Sequence, residues 1–140
     1  MNHGFDVAGL VIDDEAAEKK GTWGSGTGLK GYVNYGYLYS TDQNASARFR
    51  FKAPSAGKHE IRLAYQPHQN RGSKVPVTIE AGSEEKSLTI NMKKPAPLEH
   101  GFISLGVFDF EKGQPCSVEI RAKDADGHAH VDAVQVLAIP

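Results

Sequence analysis

The chain has 140 residues, 39% of them hydrophobic, with 16 basic and 17 acidic side chains and a formal charge of −1. That length suits a single domain, 1–140, around one core. The charge balance excludes a grip on polyphosphate, and no apolar run approaches the roughly 20 residues of a membrane helix, so neither nucleic acid nor membrane is an expected partner.

The start, MNHGFDVAGLVIDD, lacks the basic-then-apolar order of a signal peptide. Residues 14–21, DEAAEKKG, carry charges that suit a helix dipole, but the segment is too short to be stable alone. It is expected to be a single turn or extended.

Residues 21–39 then read GTWGSGTGLKGYVNYGYLY, with the only tryptophan, four of the five tyrosines and six glycines. Three roles compete for this stretch: a phosphate-cradling loop, a stacking surface for a flat ligand, or plain strands and turns. Gly26 to Gly31 spells a formal G-x-G-x-x-G. The fingerprint needs a strand before it and a helix after it, whose N-terminus meets the pyrophosphate. Here the exit, YVNYGY, is β-prone and no βαβ unit follows, which removes the phosphate loop. Ser25 between glycines lacks the strand-elbow-helix context of a nucleophile.

Period-two alternation dominates the rest. In 47–52 Phe49 and Phe51 share one face; in 59–65 Ile61, Leu63 and Tyr65 do so. With the turn residues of 53–58 between them, the two segments are predicted to form a β-hairpin. Further strands are predicted at 75–80, 86–90, 102–110, 117–121 and 131–137, with turns at 82–83 and 111–115. Pro76 cannot donate to a ladder, so its strand should be an edge or start late. Phe49, Phe51, Ile61, Leu63, Val118, Ile120, Val134 and Val136 are the predicted core. Cys116 is the lone cysteine and reads as a buried small hydrophobe, which excludes a disulfide framework.

Residues 128–132, HAHVD, place His128, His130 and Asp132 at metal-ligand spacing, but Ala133 follows where a hydrolase would supply another histidine. Nothing completes a catalytic site, and the chain reads as no enzyme. The strand pattern indicates an all-β antiparallel sandwich with little helix.

Several segments, in this order, carry a resemblance: LVIDDE at 10–15, GTW at 21–23, ARFR at 47–50, IRLAY at 61–65, Asn70-Arg71 ahead of VPV at 75–77, SLGVF at 104–108 and VDAVQ at 131–135. Together they resemble the golvesin/xanthan-lyase carbohydrate-binding-like domain, found at the C-terminus of bacterial xanthan lyases and FAD-dependent oxidoreductases. The resemblance implies a jelly-roll β-sandwich of galactose-binding-like shape. It also implies a non-catalytic module of a larger bacterial enzyme, extracellular or in the cell envelope. A polysaccharide or glycan and the parent's catalytic domain are the partners so implied. The alternative is a structural or assembly domain that packs on the catalytic domain and holds no sugar.

Sugar rings present apolar C–H faces that stack on aromatic rings, while amides and charged groups bond the hydroxyls. The expected ligand-binding residues are Trp23, Tyr32, Tyr35, Tyr65, Asn70 and Arg71; for the rings, core packing is the competing role. Asp132 shares a face with Val134 and Val136 by period two, and a carboxylate there needs a partner. Sandwich modules of related shape imply a structural calcium, for which Asp14, Glu15 and Asp132 are the expected ligands. Hydrogen bonding of Asp132 to amides or an arginine is the alternative.

Overall fold

The computed structural model describes residues 10–13, 17–26, 37–65, 71–82, 84–94, 97–98, 102–123, 125, 127–131 and 133–139. Twelve strands run through them: β1 (Leu10–Asp13), β2 (Glu18–Lys20), β3 (Gly24–Gly26), β4 (Tyr37–Ser40), β5 (Ser46–Lys52), β6 (Gly57–Ala64), β7 (Val75–Ala81), β8 (Glu84–Ile90), β9 (Phe102–Phe110), β10 (Pro115–Arg121), β11 (Ala129–Val131) and β12 (Ala133–Ala138). They form a four-stranded sheet, β1-β12-β6-β9, a five-stranded sheet, β2-β5-β10-β7-β8, and a small sheet, β11-β4-β3. The strand pairs are antiparallel.

The two large sheets enclose the core. Phe49, Ile61, Leu63, Val118, Ile120 and Val134 are each 0% exposed, and Phe51 and Val136 join them. Alternation decides this: in β5 and β10 every second side chain faces in, leaving Arg48, Arg50 and Lys52 outside on one strand and Ser117, Glu119 and Arg121 on the other. Cys116 is buried in the same core, and burial pushes its thiol up to about 12.

The predicted β5–β6 hairpin does not form. β5 lies between β2 and β10, whereas β6 lies between β12 and β9 in the other sheet. The turn at 53–56 is an arch from one sheet to the other. Ala53 ties it down, donating to Gln114 O (3.0 Å) and accepting from Gly113 N (2.9 Å). Gly57 leaves the arch at φ 113°, and buried His59 bonds Gly57 O (3.0 Å) and Ser55 Oγ (3.2 Å) across it. Period two says which face of a strand is buried but not which strand lies beside it. A short turn serves a hairpin or an arch equally well.

By contrast β7–β8 is a hairpin, with Ala81 opposite Glu84 and Gly82 at φ 62°, the left-handed conformation that a two-residue loop demands. β7 is interior, not an edge, but Pro76 precedes Val77, the first residue opposite β10, so its missing N–H costs that ladder nothing. The strand predicted at 131–137 is divided: β11 pairs with β4 and β12 with β1 and β6. Glu18–Lys20 is extended, paired with β5. On the outer face of the four-stranded sheet Ala64, Phe102 and Ala133 form a small second cluster under Val11 and Leu98.

Candidate functional site

The small sheet closes one end of the sandwich, where the loop after β4 meets the chain around Gly21. Gly21 has φ 75°, and a Cβ there would stand 2.7 Å from Ala45 Cα and 2.8 Å from Asp42 Oδ2. Only glycine allows this approach. It brings the Asp42 carboxylate to two backbone amides, accepting from Thr22 N at 2.8 Å and Asn44 N at 3.0 Å. Those amides, Asn44 first and then Thr22, hold its carboxyl below the usual carboxylate value. Ser40 Oγ donates to Thr22 O (2.5 Å) and accepts from Asp42 N (3.0 Å), so residues 22, 40, 42 and 44 form one network.

Trp23 sits beside this network with its ring half-buried against the main core. Its Nε1 donates to Lys20 O (3.0 Å) and Ser46 O (3.1 Å). The two bonds tie the ring to the backbone of β2 and β5 and fix it. Gly24 follows, directly opposite Tyr39 in the β3–β4 register. A Cβ on Gly24 would fall 2.5 Å from the Tyr39 ring, so the ring lies across bare backbone. Tyr39 remains 36% exposed, a large value for an aromatic ring held by its strand. The His128 imidazole meets it edge-on, with centroids 5.9 Å apart.

His128 is positioned from behind by Arg71. The two residues form a parallel bridge, and Gly72 N donates to His128 O at 2.9 Å. Arg71 itself is only 5% exposed. Next to it His130 is fully buried, and its backbone N–H meets Met92 Sδ at 3.4 Å. Burial first, then the charges of Arg71 and His128, push the His130 imidazole down to about 3, so it stays neutral at physiological pH.

Thr22, Trp23, Gly24, Tyr39, Ser40, Thr41, Asp42 and His128 line a cleft of about 380 Å³. It combines a fixed ring, an ionised carboxylate and several hydroxyls, the equipment for holding a hydroxyl-rich, partly apolar ligand.

Of the residues expected from sequence, Trp23 lines the cleft. Arg71 supports it from the interior and presents almost no surface. Tyr65 is 1% exposed and donates to Lys94 O at 2.8 Å, so its ring belongs to the core and not to an open site. Tyr32, Tyr35 and Asn70, with the proposed cation ligands Asp14, Glu15 and Asp132, lie outside the described residues. Sequence reasoning missed Tyr39, Asp42 and His128 as a group. Tyr39 closes the tyrosine row and runs straight into Ser40-Thr41-Asp42, a signal that was present but local. His128 comes from the other end of the chain, and only tertiary pairing brings it there.

Residues 10–138 match the family model of the Golvesin C-terminal domain. The chain belongs to that family. It is 30% identical to the xanthan lyase of Bacillus sp. (strain GL1), over 91% of this chain and 14% of that protein. It therefore spans about 14% of the length of that relative. The solved xanthan lyase of Paenibacillus superposes with a TM-score of 0.83 at 21% identity, over 93% of this chain and 13% of that one. A family 35 carbohydrate-binding module from Clostridium thermocellum superposes with a TM-score of 0.62 at 14% identity, over 95% of this chain and all 100% of the module. The CBM36-1 domain of a multidomain xylanase from the hindgut metagenome of Trinervitermes trinervoides gives 0.63 at 15% identity, over 94% and 98%. This Golvesin C-terminal domain thus has the jelly-roll fold of carbohydrate-binding modules.

Proposed function

We propose that this Golvesin C-terminal domain is a non-catalytic carbohydrate-binding module that tethers a catalytic domain of the same bacterial protein to polysaccharide outside the cytoplasm. The observation that carries the proposal is the Tyr39 ring. It is exposed, lies across Gly24 and is flanked by Trp23, His128 and the Asp42 carboxylate around one cleft. A pyranose C–H face stacks on such a ring, and its hydroxyls donate to Asp42. The fold shared with carbohydrate-binding modules and the family's kinship to a xanthan lyase support the reading.

A glycan array probed with the purified domain identifies the sugar, and titration calorimetry with the strongest hit tests the site. Tyr39→Ala is expected to weaken binding by roughly 1–3 kcal/mol, by analogy with stacking rings elsewhere. The half-exposed ring should leave the melting temperature nearly unchanged. Full affinity in Tyr39→Ala and in Asp42→Asn sinks the assignment of this cleft.

A further inference from the structure

The outer face of the five-stranded sheet carries a second cleft, of about 580 Å³, that the Tyr39 site does not use. Its origin lies in cross-strand register. Ser117 on β10 stands opposite Arg50 on β5 and opposite Glu80 on β7. Strands lie about 4.8 Å apart, so a short serine between two long side chains leaves a trough roughly 10 Å across. Pro115, on the same face as Ser117, gives it an apolar floor at one end. Arg48, Arg50 and Lys52 form one wall and Glu80 the other.

The charges of the two walls are not equally spent. Arg48 is bound to Glu119 at 3.0 Å, in a pair that is largely shielded. Among the described residues Arg50 uses only its Nε, toward Glu18 Oε1 at 2.7 Å, and both side chains are more than half exposed at 61% and 58%. An exposed pair of that kind is worth little and leaves the fork of Nη donors open. Lys52 is exposed and makes no ion pair among the described residues. Two available cations therefore face one carboxylate across an apolar floor. The Cys116 side chain turns into the core on the other face of β10, and as a neutral thiol it adds no charge at neutral pH.

We propose that this trough is a second glycan subsite, selective for carboxylate-bearing sugars. The Arg50 fork and the Lys52 ammonium take the sugar carboxylate, Pro115 takes the C–H face of the ring, and Glu80 accepts from hydroxyls on the far side. The site is independent of the Tyr39 cleft. That cleft adjoins the Ser46 end of β5, and the trough is centred on Arg50, about 13 Å further along the strand. An extended acidic chain can engage both sites or either one.

Titration calorimetry with polygalacturonate and xanthan, each beside its carboxyl-reduced form, tests the proposal at 25 and 200 mM NaCl. The domain is expected to bind at least one acidic polymer at least tenfold more tightly than the reduced form. Affinity should fall at the higher salt. R50E/K52E is expected to lose tenfold or more toward the acidic polymer, at an unchanged melting temperature. K58E/K93E, with the same net charge change on exposed lysines outside the trough, is expected to keep it. Tyr39→Ala should keep the preference for the acidic over the reduced form. Equal binding of acidic and reduced polymers, no binding of either acidic polymer, or equal losses in R50E/K52E and K58E/K93E would each overturn the trough as a carboxylate site. None of these results bears on neutral-sugar binding at Tyr39.

Discussion

Tyr39 shows how one residue's role is set by the residue facing it. The ring is exposed because Gly24, across the ladder, has no side chain to share the space. Gly24→Ala is expected to lift the ring and weaken sugar binding about as much as Tyr39→Ala, while a two-dimensional NMR spectrum stays native. Gly21→Ala should differ in kind. Its φ of 75° is strained for alanine and the new Cβ would strike the Ala45 backbone, so unfolding free energy should drop by roughly 2 kcal/mol or more in urea melts. His130 makes a pH prediction. Its folded value, about 3, lies below the ordinary imidazole value of 6.5, so the stability it contributes is complete above 6.5 and is lost as pH falls toward 3. Within that window the unfolded chain binds the extra proton, giving a slope of about 1.4 kcal/mol per pH unit. Urea melts between pH 7 and pH 4 check it, and His130→Asn should flatten the slope. Asp42 acts in the same sense but lower, as pH falls through its depressed value below 3.8.

At the scale of the element, β5 and β10 are the axis of the domain. They pair over seven residues, and Phe49 and Val118 meet in the register at the centre of the core. Phe49→Ala removes a fully buried ring and is expected to cost about 3–5 kcal/mol in chemical unfolding. Hydrogen exchange should find the central amides of β5 and β10 among the slowest, and cross-strand NOEs should link β5 to β10 and never to β6. Cys116, on the same strand, is held protonated by burial and should resist iodoacetamide in the native protein, reacting only once urea unfolds it.

For the molecule as a whole, the sandwich carries two unlike surfaces, a ring-and-carboxylate cleft at the small sheet and a basic trough on the five-stranded one. Much of this was legible beforehand. The all-β class, the eight core residues, the buried cysteine and most strands follow from period two and turn chemistry. Those are local rules, written within six or eight residues of chain. The ordered set of short segments also carried the family resemblance, and Trp23 was singled out on its own. Pairing partners were not legible, because a strand's alternation is satisfied by any neighbour that buries the same face. Hence β5 and β6 sit in different sheets, Val131 and Ala133 in different sheets, and Tyr65 and Arg71 inside. The cleft and the trough were hidden for the same reason. Each depends on a short residue, Gly24 or Ser117, lying opposite longer ones brought from distant parts of the chain. That juxtaposition exists only once backbone hydrogen bonds between distant segments have set the register.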